Sequence, residues 1–201
     1  MKNTRRGPRL TPAARHAQLL TCAIQRYAEQ GLNGARHTDV AALAGVSVAT
    51  VFHYFPTREA LQGAALAAVS QRLLDNILGT QVRNPVLAST ALEQVLMGFC
   101  DAIDSHPHIV RLWLHWSVAS RGDLGDAYLV FYARALRGVR RLLARGRQEH
   151  CIHPAVNLKD AARVVVGLAH LIVQMKYARS TRRQVAHTVH ALVQGYLVRP
   201  A

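Results

Sequence analysis

Residues 46–59 read Val-Ser-Val-Ala-Thr-Val-Phe-His-Tyr-Phe-Pro-Thr-Arg-Glu, and they follow Thr38-Asp-Val-Ala-Ala-Leu-Ala-Gly45. The spacing predicts two short helices joined by a tight turn. Val40, Leu43 and Ala44 share one face of the first, and Gly45 ends it where a left-handed backbone costs least. Ser47 is placed to cap the second, its hydroxyl accepting from a backbone N–H two or three residues on. Val48, Val51, Phe52 and Phe55 recur at helical spacing and are expected to face the core. Ala49, Thr50 and His53 then lie on the opposite, exposed face. A short exposed helix bearing small or hydrogen-bonding side chains, behind a turn containing glycine, suits a DNA major groove. The plainer alternative is a helical hairpin inside an all-α core.

Composition favours the first reading without deciding it. The 201 residues carry 25 Lys and Arg against 11 Asp and Glu, a formal net charge of +14. Such a balance favours anionic partners, nucleic acid or an acidic membrane surface, and says nothing about fold. The few acids are scattered. No Ser/His/Asp order, phosphate-cradling glycine loop or carboxylate pair stands out, so an enzyme is not expected. Cys22, Cys100 and Cys151 are odd in number and dispersed, which suits a reducing cytoplasm rather than a disulfide framework. No run of eighteen apolar residues predicts a membrane span, and the N-terminus lacks the apolar segment of a secretory signal. A cytoplasmic protein without cofactor or metal is the expectation.

Along the chain, residues 1–10 form a flexible basic arm with Lys2, Arg5, Arg6 and Arg9. Thr11-Pro12 is a strong helix start, and that helix runs to about Gln30, burying Leu19, Leu20, Ala23, Ile24 and Tyr27. Pro56-Thr57 closes the helix-turn-helix and starts a connecting helix to about Leu78, with a break expected from Gly79 to Pro85. From there helical periods dominate. Leu87, Ala91, Val95, Phe99 and Ile103 mark one stripe; Val110, Leu112, Trp113 and Trp116 follow the Ser105-His-Pro107 turn. Gly122 and Gly125 interrupt that run, and a further helix reaches about Gln148.

Helices of roughly 158–178 and 181–198 finish the chain. Ala161, Val164, Val165, Leu168, Leu171 and Ile172 line one, and Val185, Val189, Leu192, Val193 and Tyr196 the other. They are core, or they bury a face against a second copy of the chain. Boundaries of 1–10, 11–56, 57–79 and 80–201 result, for arm, helix-turn-helix domain, connecting helix and regulatory/dimerisation domain.

The stretch from Thr38 to Leu61 resembles the DNA-binding domain of TetR-family transcriptional regulators. Val46-Ser-Val-Ala-Thr-Val-Phe with Tyr54-Phe-Pro-Thr-Arg-Glu59 is similar to the branch containing the vibrio quorum-sensing master regulators, the LuxR/HapR type. Arg9-Leu-Thr-Pro12 and Trp113-Leu-His-Trp-Ser117, with Ser120-Arg121, agree with that branch. The resemblance implies an all-α homodimer of about nine helices: three form the DNA-binding domain and the last two usually form the dimer interface. It implies a regulatory cavity too, often for a small apolar ligand. Recognition-helix contacts fall on Ala49, Thr50, His53 and Tyr54. Phosphate contacts fall on Ser47, Tyr54, Thr57 and Arg58, and the minor-groove arm on Arg9. His53 departs from the branch, which typically carries Asn there, so the operator sequence is not carried over.

Thr50 and His53 can reach neighbouring base edges, and Ala49 can offer a methyl group to thymine. The function expected is that of a sequence-specific regulator on near-palindromic double-stranded DNA. A non-specific architectural protein that coats DNA by charge is the alternative. Trp113 and Trp116 either line a ligand cavity, with Phe99, Tyr128, Phe131, Tyr132 and His170, or are plain core. Arg134, Arg137, Arg141 and Arg145 share one helical face, either solvated or facing an acidic partner. His150-Cys-Ile-His153 offers no well-spaced ligand pair and is weak as a metal site.

Overall fold

A computed structural model describes residues 10–118 and 122–198, and among these the architecture is all-α, in nine helices without a strand. Helix α1 spans Pro12–Gln30, α2 His37–Ala44 and α3 Val48–Tyr54. Next comes one long rod, α4, made of Arg58–Ser70, a π-helical stretch Gln71–Leu78 and a last turn Gly79–Arg83. Helices α5 (Ala88–Ser105), α6 (Pro107–Ser117), α7 (Gly122–Gln148), α8 (Leu158–Tyr177) and α9 (Arg182–Tyr196) complete the chain.

Helix starts follow local chemistry. Thr11 accepts from the Ala14 N–H ahead of Pro12, and Thr57 accepts from Ala60. Asn157 caps α8, and Thr181 forms a capping box with Gln184 at α9. Each such cap is worth about 1 kcal/mol.

Helix α1 is the hinge of the packing. Leu19, Ala23, Ile24, Tyr27 and Ala28 are buried, against α2, α4 and α6. Leu20 is only half-buried, at the edge of that stripe. The core continues without a gap into the second half, where α5 packs on α8 and α9 and α7 packs on α8. His115 donates from Nδ1 to the Tyr27 carbonyl at 3.3 Å, joining α6 to α1. Arg72 on α4 lies 3.3 Å from His106 at the α5–α6 corner.

Several expectations change. Gly79 does not break the connecting helix, which runs on to Arg83 before Asn84-Pro85 stops it. Gly125 lies buried inside α7 rather than interrupting it. A mid-helix glycine costs only about 1 kcal/mol, which tertiary burial outweighs. Leu87 sits just before α5 and is exposed, so the α5 stripe begins at Ala91. Nor do the arginines of α7 form one solvated face. Arg145 turns inward, donating to the carbonyls of Val82, Asn84 and Val86 at 3.2, 2.9 and 2.9 Å while pairing with Glu149. It thereby ties the α4–α5 connection to α7.

Gly146 shows how close that packing is. A Cβ there would come 2.5 Å from Ile152 Cγ1, 3.0 Å from Ala88 Cβ and 3.3 Å from Cys151 Sγ. Gly146→Ala gains up to about 1 kcal/mol of helix propensity and loses about 1–3 kcal/mol to overpacking. The expected outcome is a net loss of stability, read as a lower urea midpoint at unchanged m-value.

Candidate nucleic-acid interface

Gly45 has φ 66° and ψ 39°, the left-handed region, and the Val46 N–H reaches back to the Ala41 carbonyl at 3.1 Å. This sharp turn delivers Ser47 to the start of α3. There its Oγ accepts from the Thr50 N–H at 3.2 Å and lies 2.9 Å from the Thr50 hydroxyl. Gln18 on α1 donates to the Ala44 carbonyl at 3.3 Å, pinning the turn from below.

Val51 and Phe55 are buried, and Val48 and Tyr54 are half-buried. Ala49 and His53 are exposed, with Thr50 half-buried beside them. The His53 ring stands edge-on to Tyr54 at 5.2 Å. Ser47 and Thr57, both exposed, bracket the helix at its two ends. One solvent-facing surface therefore holds Ser47, Ala49, Thr50, His53, Tyr54 and Thr57, a continuous set of methyl, hydroxyl and imidazole groups.

Phe52 is a correction. Expected in the core, it is 46% exposed and stacks flat on His37, with ring centroids 4.2 Å apart and planes 6° apart. Its position lies on the flank between the buried stripe and the outer face, a distinction that spacing over seven residues does not make. His37 was not singled out in the sequence. Its Nε2 donates to the Phe55 carbonyl at 2.8 Å in a buried bond that holds the last turn of α3 against α2.

Arg58 lies beside this surface, tied to a neighbouring loop. Its guanidinium donates to the Asn33 and Leu32 carbonyls, in the α1–α2 loop, rather than pointing free toward a phosphate strand. Buried Gln62 donates to the same Leu32 carbonyl. Neither partner lies near Arg58 in sequence, so no local signal foretold the clamp. Arg9 lies outside the described residues, as do Ser120 and Arg121.

In the second half, a small apolar cavity of about 80 Å³ lies among α4, α5, α6, α7 and α8. Phe99, Trp113, Tyr128, Phe131 and Tyr132 are on its wall, with Leu73, Leu74, Ile77 and Leu78 of α4, which sequence reasoning missed. Trp116 and His170 are not. Trp116 is buried behind the lining, its ring 5.2 Å from Phe131 and its Nε1 donating to the Leu124 carbonyl at 2.8 Å. His170 packs 4.4 Å from Trp113 and bonds the Ser117 hydroxyl at 3.2 Å. Among the described residues, no three or more His, Cys, Asp or Glu side chains gather as metal ligands. Among the described residues, no helix is long and apolar enough to cross a membrane.

This geometry, a capped short helix held outward on a three-helix head, is that of a helix-turn-helix. Residues 19–65 match the model for bacterial regulatory proteins of the tetR family. The transcriptional regulator BetI of Rhizobium meliloti is 30% identical over 188 residues, covering 92% of this chain and 86% of that one. The chain belongs to the TetR family of DNA-binding transcriptional regulators, and it is not an enzyme. The LuxR regulator of Vibrio harveyi is 33% identical over 121 residues, 60% of this chain, and the match spans 58% of that protein's length. A regulator from Saccharomonospora viridis, solved in complex with choline, shares the fold at a TM-score of 0.79 and 16% identity. That match covers 92% of this chain and 98% of the other.

Burial pushes the His170 imidazole below its ordinary value of 6.5, and burial with the nearby Arg72 does the same to His106. A lowered value means the unfolded chain takes up protons first as pH falls, so stability drops as pH passes down through 6.5. The melting temperature is expected to be lower at pH 5.5 than at 7.5, and the gap to shrink in His170→Gln. Glu29, Glu59 and Asp101, whose values are lowered from 4.5, 4.5 and 3.8, lose their contribution only at still lower pH.

Proposed function

We propose that this chain acts as a homodimer on a near-palindromic operator, reading bases with α3, and that a small apolar effector in the cavity controls it. The observation that carries the reading is the outward face of α3. Ala49, Thr50 and His53 stand where base edges would lie, with hydroxyls of Ser47, Tyr54 and Thr57 around them for phosphate oxygens. Arg9, on its basic arm, is assigned to an adjacent minor groove. Phe52, exposed on the flank, joins this set as an apolar contact to the sugar–phosphate edge. Acting on bacterial DNA places the protein in the cytoplasm.

The last two helices support the dimer. Val164 (44% exposed) and Leu171 (37%) on α8, with Leu192 (38%) and Tyr196 (44%) on α9, are apolar side chains left in solvent. Val164, Leu192 and Tyr196, with Leu168, edge an apolar groove of about 250 Å³. A continuous apolar face of this kind on otherwise polar helices fits a two-fold partner surface. Leu192→Glu together with Val164→Asp should yield a monomer by sedimentation analysis, with helical content unchanged. Operator affinity should fall, because one head alone covers one half-site.

Effector control is supported by the course of α4. It begins one turn beyond α3 and its middle forms a wall of the cavity, so a ligand that displaces Leu73 or Ile77 also moves the base of the reading head. The choline-bound relative supports a ligand-responsive regulatory half in this fold, though not the ligand.

Binding assays on a palindromic duplex and on random DNA at fixed salt separate the proposed reader from a charge-driven coat protein. Tyr54→Ala should weaken both about equally, whereas Thr50→Ala and His53→Ala should change base preference, by about 1–3 kcal/mol at the affected positions. Equal affinity of the unaltered protein for both duplexes would leave only the architectural role.

A further inference from the structure

A second concave site lies beside the cavity. Between α4 and α7 runs a cleft of about 330 Å³ whose charged lining is Arg83, Arg134, Arg137 and Arg141 against the single carboxylate of Asp75. Only Arg134 is paired with that carboxylate, at 3.2 Å, with both side chains about half-exposed. Four guanidiniums facing one hollow repel one another, and a cleft of one sign concentrates the field that an anion would relieve. Gly79 and Gly138 are among its lining residues. The Arg83 guanidinium crosses Gly79, 3.5 Å from where a Cβ would stand, and a Cβ on Gly138 would meet Leu78 at 2.5 Å. The volume is at the lower end of small-ligand sites.

Cleft and cavity share a partition. Leu74 and Leu78, both from the π-helical stretch of α4, line the apolar cavity on one side and the arginine cleft on the other. The rest of the cavity wall is almost wholly aliphatic and aromatic. A ligand filling both spaces therefore carries an oxyanion at one end and an apolar group at the other. Planar guanidiniums suit a carboxylate or phosphate, which they hold by paired N–H donors. The cavity, at about 80 Å³, is roughly half the ~150 Å³ that admits benzene, so the apolar end is short.

We infer that the effector is a small amphiphilic oxyanion, its head held by Arg83, Arg137 and Arg141 and its short tail inserted past Leu74 and Leu78. This rests on the cavity being the effector site, and it names the chemistry of what enters.

Titration calorimetry of the full chain with butyl phosphate, 1-butanol, butyltrimethylammonium and inorganic phosphate tests it. Butyl phosphate should bind about tenfold or more tighter than 1-butanol, with inorganic phosphate and the cation weaker still. In the double variant Arg137→Gln/Arg141→Gln, butyl phosphate should fall to within about twofold of 1-butanol, whose own affinity is unchanged. Thermal melting of the variant without ligand checks that it is folded, and Arg137→Lys/Arg141→Lys should recover part of the lost affinity. Equal affinity for butyl phosphate and 1-butanol, a preference that survives the double substitution, or tighter binding of the cation overturns the inference and leaves the cavity reading standing. Inorganic phosphate binding as well as butyl phosphate also overturns it, by making the cleft independent of the cavity. Failure of every alkyl ligand sinks both.

Discussion

The three-helix head depends on how a seven-residue helix is kept in shape. A helix of that length is not stable alone in water, so α3 exists only because its neighbours fix both its ends. Ser47 satisfies the first turn, Val51 and Phe55 lie in the core, and buried His37 holds the last carbonyl. Ala49 and His53, exposed on the outward side, are thereby left free of structural duty. Ala49 and His53 can be chosen for what they touch, because nothing in the fold needs their side chains.

The remainder of the molecule is organised by α4. At its start, Arg58 and Gln62 fasten the α1–α2 loop through the Asn33 and Leu32 carbonyls. In its first half Leu61, Ala65 and Val69 are fully buried in the core of the head. Its second half supplies one wall of the cavity and one bank of the arginine cleft. The Tyr27–His115 bond and the Arg72–His106 contact join the same two halves by separate routes. Head and body are thus one cored unit with a single rod running through both.

Local punctuation was the most legible part of the chain. Thr11-Pro12, Gly45, Ser47 and Thr57 act through hydrogen bonds to residues two to four positions away, and each marks a helix boundary in the structure. Periodicity was less complete. It found the buried stripe of α3 and misplaced Phe52, because an aromatic ring on the flank can lie on a neighbour instead of entering the core. Gly79 and Gly125 read as breaks because a lone sequence does not show what packs around a helix. Arg58 read as a phosphate contact and Arg145 as one of a shared arginine face, yet both end on carbonyls 25 or more residues away in the chain. Trp116 was a cavity candidate because it sits three residues from Trp113 and His170 because it is on a neighbouring helix, with plain core as the alternative; the structure packs them against Phe131 and Trp113 and outside the cavity lining. The cavity's α4 wall stayed hidden because apolar residues on a connecting helix carry no mark of what lies opposite.

The π-helical stretch at Gln71–Leu78 has a geometric corollary. The Gly79 N–H bonds the Leu74 carbonyl, five residues back, so one residue more than usual is fitted into that turn. The rod's apolar azimuth is consequently offset between its two ends. Its upper portion can face α1 while its lower portion faces α7, without a bend. Chain length is therefore adjustable by one residue here and nowhere else along the rod: removing one residue lets the wide turn close to an ordinary α-helical one with the downstream side chains still in phase with α7, whereas the same deletion in a regular turn would rotate them out of it.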